Sequence, residues 1–308
     1  MITISIIVPC YNEEEIILNF IDELEKTTKS TNYRFELIFI DNRSLDSTWE
    51  KLFSAKEKFA KVKLIQFSNY FGKEAAILSG IDECTGDAAI IMDPDLEDPP
   101  ELIPELIQKW KNGAEIVLTY RSSEDISKTK KILKGIFYKL LIYCSERVQK
   151  LPQHSGDFRI LDRKVINYLK SMREKTRFLR GLVNYIGFKQ EIISFDRPFR
   201  QKGYSKSSYN FLYKYALDSL FSFSNVPISL IIKFGFGLLF FIIIFTIYLI
   251  FQKILGNPLG GFTTVLLLIG LTSSFNIIAI GLVGEYVSRI YTEVKNRPPY
   301  IISENIDI

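Results

Sequence analysis

Residues 93–98 read Asp-Pro-Asp-Leu-Glu-Asp, and carboxylates this densely placed can hold a hard cation. The run before them, residues 88–92, is Ala-Ala-Ile-Ile-Met, short and wholly apolar, which predicts a buried strand. Pro94, Pro99 and Pro100 stop that strand and bar a helix across the acids. An isolated Asp-x-Asp is more often a solvated turn. Here a core strand delivers Asp93 and Asp95 at its tip. Oxygen ligands suit Mg2+ or Mn2+, and Mg2+ usually shares its shell with substrate phosphates.

Two more polar clusters follow predicted strands. Pro9-Cys10-Tyr11-Asn12-Glu13 comes after a strand at 4–8, and Asp41-Asn42-Arg43-Ser44-Leu45-Asp46 after one at 35–40. Tyr11 can stack on a base, and Asp41 can accept hydrogen bonds from a base or ribose. Asp46 serves equally well as the cap of a helix starting near Ser47. Helices are predicted at 13–26, 47–59, 73–84 and 101–112, with further strands at 62–67 and 116–119. Strand–helix alternation of this kind predicts a parallel, doubly wound α/β sheet, which binds ligands at the carboxyl ends of its strands. No Gly-x-Gly-x-x-Gly follows the first strand and no Gly-Lys-Ser/Thr loop occurs, which argues against dinucleotide and P-loop folds. The three clusters together point to a nucleotide diphosphate donor whose leaving group a cation stabilises.

The C-terminal third is of another kind. Residues 230–251 and 262–283 are nearly all apolar, each long enough to cross a bilayer, with a Gly- and Pro-rich turn between. Lys206, Lys214 and Lys233 precede the pair and Arg289, Lys295 and Arg297 follow it, whereas the turn holds only Lys253. The positive-inside rule then puts both flanks, and both termini, on the cytoplasmic side of the inner membrane. Tyr209, Leu212, Tyr213, Ala216, Leu217 and Leu220 recur at helical spacing, predicting an amphipathic helix at the membrane interface. The formal net charge of +4 is modest, and its basic runs lie beside the apolar segments, favouring lipid or phosphate over nucleic acid as partner. Three cysteines without Cys-x-x-Cys spacing and one histidine make a zinc site improbable and fit a reducing compartment. Residues 1–8 are too short for a signal peptide and lack a basic start.

Pro9-x-Tyr11-Asn12-Glu13, Asp41-x-x-Ser44-x-Asp46-x-Thr48 and Asp93-x-Asp95 resemble the signatures of family 2 inverting glycosyltransferases with the GT-A fold. Phe71-Gly72-Lys73-Glu74-Ala75-Ala76, residues 93–101, Ser155-Gly156-Asp157-Phe158-Arg159 and Arg200-x-x-Gly203-x-Ser205-Lys206 narrow the resemblance to polyisoprenyl-phosphate glycosyltransferases. That group includes dolichyl-phosphate mannose synthases and bactoprenol glucosyltransferases, and two C-terminal membrane helices favour the bactoprenol branch. The resemblance covers essentially the whole chain. It implies a GT-A, Rossmann-like catalytic domain over 1–205, a juxtamembrane amphipathic helix over 206–228, a transmembrane hairpin over 229–285 and a cytoplasmic tail over 286–308.

The implied reaction moves one sugar, with inversion, from a nucleotide diphosphate sugar to polyprenyl phosphate. By the same resemblance Pro9, Tyr11, Glu13, Asp41, Lys73 and Asp93 bind the nucleotide sugar, and Asp157 is the catalytic carboxylate, as base or as positioning group. Asp93 and Asp95 hold Mg2+ or Mn2+, joined by Glu97 where relatives often have Gln. Arg121, Arg200 and Lys206 take the acceptor phosphate. Asn42 and Arg43 stand where the family usually has Asp and Gly, and Tyr204 replaces a common Glu. UDP-glucose with undecaprenyl phosphate is the favoured substrate pair; mannose, N-acetylglucosamine and modified arabinose donors stay open. So does a homo-oligomer. A processive synthase would need more membrane helices and a Gln-x-x-Arg-Trp segment, and a non-catalytic scaffold would tolerate loss of acids that are all present.

Overall fold

The computed structural model describes residues 2–56, 61–121, 155–172, 174, 179–195, 226–255 and 261–307. They form two compact units. The first contains residues 1–219 and 297–308, the second residues 220–296.

The first unit is built on one eight-stranded sheet. Its elements in chain order are β1 (Thr3–Cys10), α1 (Ile17–Lys29), β2 (Arg34–Asp41), α2 (Thr48–Ser54), β3 (Val62–Phe67), α3 (Lys73–Glu83) and β4 (Ala88–Ile91). There follow α4 (Ile103–Lys111), β5 (Ile116–Arg121), β6 (Ser155–Asp162), α5 (Arg163–Ser171), α6 (Leu179–Ile186) and β7 (Gln190–Phe195), with β8 (Ile302–Asp307) contributed by the far C-terminus. Strand order is β7-β5-β6-β4-β1-β2-β3-β8. The central strands read as continuous apolar runs because both faces are covered: Ile4, Ile6, Ile7 and Val8 of β1 are all fully buried. In α1 the buried residues Ile17, Phe20, Ile21 and Leu24 fall three and four apart, so one stripe faces the sheet. Helix α3 lies directly on β1, since a Cβ at Gly80 would run into the Ile7 side chain.

The α/β architecture expected from the sequence is present, but the sheet is mixed rather than all parallel. Strands β4-β1-β2-β3 are parallel. β6 enters antiparallel between β4 and β5, and β8 pairs antiparallel with β3. β6 escaped the pattern because Ser155, Gly156, Asp157 and Arg159 break its apolar alternation, although Phe158, Ile160 and Leu161 are fully buried. β8 reads Ile-Ser-Glu-Asn-Ile-Asp, an edge strand with few apolar contacts to advertise it. Residues 302–307, expected from sequence in a tail after the membrane hairpin, pair with β3 in this sheet.

The second unit holds α7 (Val226–Ile254) and α8 (Gly261–Val294). Within them residues 231–252 and 268–294 are long and apolar enough to cross a membrane, by length and composition. Their large side chains are exposed all round, Phe236 at 69%, Ile247 at 62% and Ile280 at 71%. A helix apolar on every side needs a protein core or a lipid phase around it. Within the unit, Phe234 meets Phe275 with ring centroids 5.6 Å apart, and Gly235 faces the same Phe275 ring.

Candidate active site

The loops that leave β1, β2, β3 and β4 share the carboxyl edge of the parallel strands. Each contains one left-handed residue: Asn12 (φ 52°), Arg43 (φ 61°), Gly72 (φ 91°) and Leu96 (φ 57°). Three of the four carry a Cβ, and holding such a residue there costs about 1–2 kcal/mol. Hydrogen bonds between the loops hold them. Asn12 N donates to Ser44 Oγ (2.9 Å), and Leu45 N returns a bond to Asn12 Oδ1 (2.8 Å). Glu13 N donates to Thr48 Oγ1 (2.8 Å), and Glu14 N to Asp46 Oδ2 (3.1 Å). Asp46 also accepts from Thr48 N and Oγ1, so it braces the start of α2. Asn42 Oδ1 accepts from Phe71 N (2.9 Å), which ties the loop after β2 to the loop after β3. A neutral amide oxygen suffices for that bond.

Asp41 ends β2 fully buried, and its carboxylate accepts from Ser44 N (3.2 Å) and Gln66 Nε2 (3.1 Å). Burial pushes its pKa up, against the pull of Ser44 and Gln66. Pro9 is buried in β1, and Tyr11 and Glu13 are half-buried in the loop beyond it. The Tyr11 ring meets Tyr70 at 4.6 Å between centroids, tilted by 53°. Tyr70, half exposed at 53%, extends the aromatic surface on this rim and was not singled out from the sequence.

The chemistry concentrates where α3, β4 and β6 meet. Lys73, the first residue of α3, puts its Nζ 2.7 Å from Asp93 Oδ2 and 2.7 Å from Asp157 Oδ2. Asp157 Oδ1 accepts from Arg180 Nε at 2.9 Å and lies 3.4 Å from Arg159 Nη2. Arg159 is itself buried at 1% exposure and donates to the Gly156 carbonyl. Burial raises the Asp157 pKa, but Arg180, Lys73 and Arg159 outweigh it and hold the carboxyl well below its usual range. Burial lowers Lys73, and the Asp157 and Asp93 charges reverse this, so the ammonium stays protonated. Asp93 is raised by burial and by Asp157 and Asp95, with Lys73 opposing. Arg180, on α6, is the functional candidate that sequence reasoning missed; nothing local separates it from any other arginine at a helix start.

Asp93 and Asp95 sit half-buried just past β4. The expected third ligand does not join them. Strand pairing ends with Met92 N on Ile7 O, so alternation stops before the acids begin. The left-handed turn at Leu96 then takes Glu97 into the interior at 7% exposure, while Glu97 N donates to Asp95 Oδ1 (3.1 Å). Among the described residues no three Asp, Glu, His or Cys side chains converge as a ligand set. Two carboxylates on an open rim fit a cation such as Mg2+, which completes its shell with water and substrate phosphate. Arg121 ends β5, paired in register with Phe195 of β7; its side chain, Arg200, Lys206 and the predicted amphipathic helix lie outside the described residues. Helix α5, which follows β6, is capped by Asp162, whose carboxylate accepts from Lys164 N.

The glycosyl transferase family 2 profile matches residues 5–169, from β1 into α5, spanning the rim, Asp93, Asp95 and Asp157. The chain belongs to glycosyltransferase family 2. Among its relatives in the family, an uncharacterized glycosyltransferase of Synechocystis sp. is 36% identical over 305 residues, covering 98% of this chain and 95% of the relative. The SfII prophage-derived bactoprenol glucosyl transferase of Shigella flexneri is 34% identical over 304 residues, covering 98% of each. A prophage bactoprenol glucosyl transferase homolog of Escherichia coli is 35% identical over 301 residues, covering 97% of this chain and 98% of the relative. These matches run past the family domain through α7 and α8.

Proposed function

We propose that the chain transfers a single glucose, with inversion, from UDP-glucose to undecaprenyl phosphate at the cytoplasmic face of the membrane. The observation that carries the reading is the bridge of Lys73 between Asp93 and Asp157, which joins a donor-side carboxylate to the expected catalytic one in a single charge cluster. The names of the Shigella and Escherichia relatives support a glucosyl donor and a bactoprenol carrier. The two apolar helices support a substrate that lives in a membrane.

The acceptor phosphate has a second pKa of about 6 and reaches neutral pH largely as a dianion. It needs little deprotonation, so a strong base is unnecessary. Asp157, held ionised by three cations, orients those cations rather than collecting a proton. Asp93 and Asp95 would hold Mg2+ or Mn2+, whose charge stabilises the departing diphosphate. The Tyr11 and Tyr70 pair offers a face for the base. Arg121, Arg200 and Lys206 take the acceptor phosphate, and their charge lets it lie close to the donor diphosphate without mutual repulsion.

The test is purified full-length protein with undecaprenyl phosphate, Mn2+ and one radiolabelled nucleotide sugar at a time. Lipid-linked label from UDP-glucose, lost in chelator and in Asp157→Asn, is the expected result. Transfer only from GDP-mannose, UDP-N-acetylglucosamine or an arabinose donor would replace the sugar assignment. Transfer from none, by protein that is folded, would overturn the reading.

A further inference from the structure

The C-terminal segment reaches the donor rim from behind. Tyr300 stacks on Phe67 with ring centroids 5.2 Å apart and planes 10° from parallel. Phe67 in turn meets the edge of Phe71 at 5.7 Å. Phe71 is the residue before Gly72, whose positive φ turns the chain into α3 and places Lys73. Tyr300 also donates its hydroxyl to Asp82 Oδ2 (2.8 Å), near the other end of α3. One side chain thus touches the end of β3 and the helix that begins with Lys73, on either side of the loop at 68–72.

The backbone repeats the link. Ser68 N, the first amide of the loop, donates to the Ile301 carbonyl (2.9 Å). Ser303 Oγ donates to the Gln66 carbonyl (3.0 Å), and the Gln66 side chain holds Asp41 Oδ2 (3.1 Å). Lys63, further along β3, reaches Asp307 Oδ2 at 3.4 Å. A strand added only to cover a sheet edge would need the ladder bonds alone. The stack Tyr300–Phe67–Phe71 runs instead from the tail to the hinge of the loop that carries Lys73.

We propose that the C-terminal segment is a working part of the donor site, with Tyr300 as the positioning residue that holds the 68–72 loop and, through it, Lys73. Its functional half rests on the glycosyl-transfer reading above; its structural half does not. The removal of the ring in Tyr300→Ala frees Phe67 and Phe71 to repack and loosens the loop. Tyr300→Phe keeps the stack and loses the hydroxyl with its bond to Asp82.

The experiment uses the full-length protein in detergent. Amide hydrogen exchange is followed at Ser68 and Phe71, UDP with Mn2+ is titrated calorimetrically, and the KM for nucleotide sugar and for lipid phosphate are measured separately. Tyr300→Ala should speed exchange at both amides and weaken UDP by about tenfold, with the lipid KM within about twofold of wild type. Tyr300→Phe should restore both readouts. Unchanged exchange and UDP affinity in Tyr300→Ala, equal loss toward donor and acceptor, or no rescue by Tyr300→Phe would each overturn the proposal. If Tyr300→Ala does not fold, Phe71→Leu, which leaves the tail in place, carries the same test, and unaltered UDP affinity there overturns it. Should wild type bind no nucleotide, the transfer reading falls, while the exchange rates still decide the positioning claim.

Discussion

Lys73 is the residue whose loss the structure makes most legible. Two 2.7 Å bonds to one nitrogen place Asp93 Oδ2 and Asp157 Oδ2 no more than about twice that distance apart, ~5.4 Å. Lys73→Met removes the charge between them and keeps much of the side-chain volume. Two unit charges ~5.4 Å apart repel by about 3 kcal/mol at an effective dielectric of 20. The Lys73 side chain is 42% exposed, so water screens part of this, and a loss of roughly 1–2 kcal/mol of stability is expected. The loss carries a signature. In the variant each carboxylate raises the other's pKa, so the deficit is present at neutral pH and shrinks as pH falls and one of them takes a proton. Mn2+ should also shrink it, by replacing the missing positive charge. The assay is denaturant unfolding of wild type, Lys73→Met and Lys73→Arg at pH 7.5 and pH 5, each in chelator and in Mn2+. Lys73→Arg should stay near wild type in stability. A Lys73→Met protein as stable as wild type in chelator at pH 7.5, or a deficit indifferent to both pH and Mn2+, would refute the electrostatic account.

Arg43 is exposed with φ 61°, in the left-handed region that favours glycine, so Arg43→Gly should stabilise the protein. Relief of left-handed strain less the added freedom of the unfolded chain leaves a gain of roughly 0.5–1 kcal/mol, readable as a higher denaturation midpoint. Burial and the Asp157 charge push Glu74 up to about 7, against Arg180, Lys73 and Arg159. The folded state then binds this proton more tightly than the unfolded one, whose pKa is near 4.5, so its contribution is full below that value and lost as pH rises through about 7. Glu74→Gln should abolish a fall on the order of 1–3 kcal/mol between pH 5 and pH 8; an identical pH–stability curve would show that Glu74 is not the titrating group. Arg180→Gln should cut turnover at least about tenfold by freeing Asp157, and Arg180→Lys should restore part of it, because a charge-assisted bond is worth about 1.5–3 kcal/mol. Unchanged kcat in Arg180→Gln would remove Arg180 from the site.

What the sequence determined by itself were the features written locally. Apolar runs bounded by Gly, Pro and acids placed β1 to β5 to within a residue or two, because a buried parallel strand needs uninterrupted apolar faces. The 3.6-residue stripes placed α1, α3 and α4, and uninterrupted hydrophobic length placed α7 and α8. The polar clusters at the ends of β1, β2 and β4 were legible because each breaks off an apolar run. The tertiary structure alone decided what depends on residues distant in the chain. β6 sits antiparallel between β4 and β5, so Asp157 meets Lys73 across 84 positions. Arg180 reaches Asp157 from a helix with no motif of its own. Glu97 turned inward because backbone conformation at Leu96, invisible in composition, overrode the alternation of the acids. The last strand, with two apolar residues in six, carried too little pattern to announce that it would return to β3. Its place follows from the free edge of β3, from the Tyr300 ring lying on Phe67, and from a hydrogen bond between residues 82 and 300 that no local rule could supply.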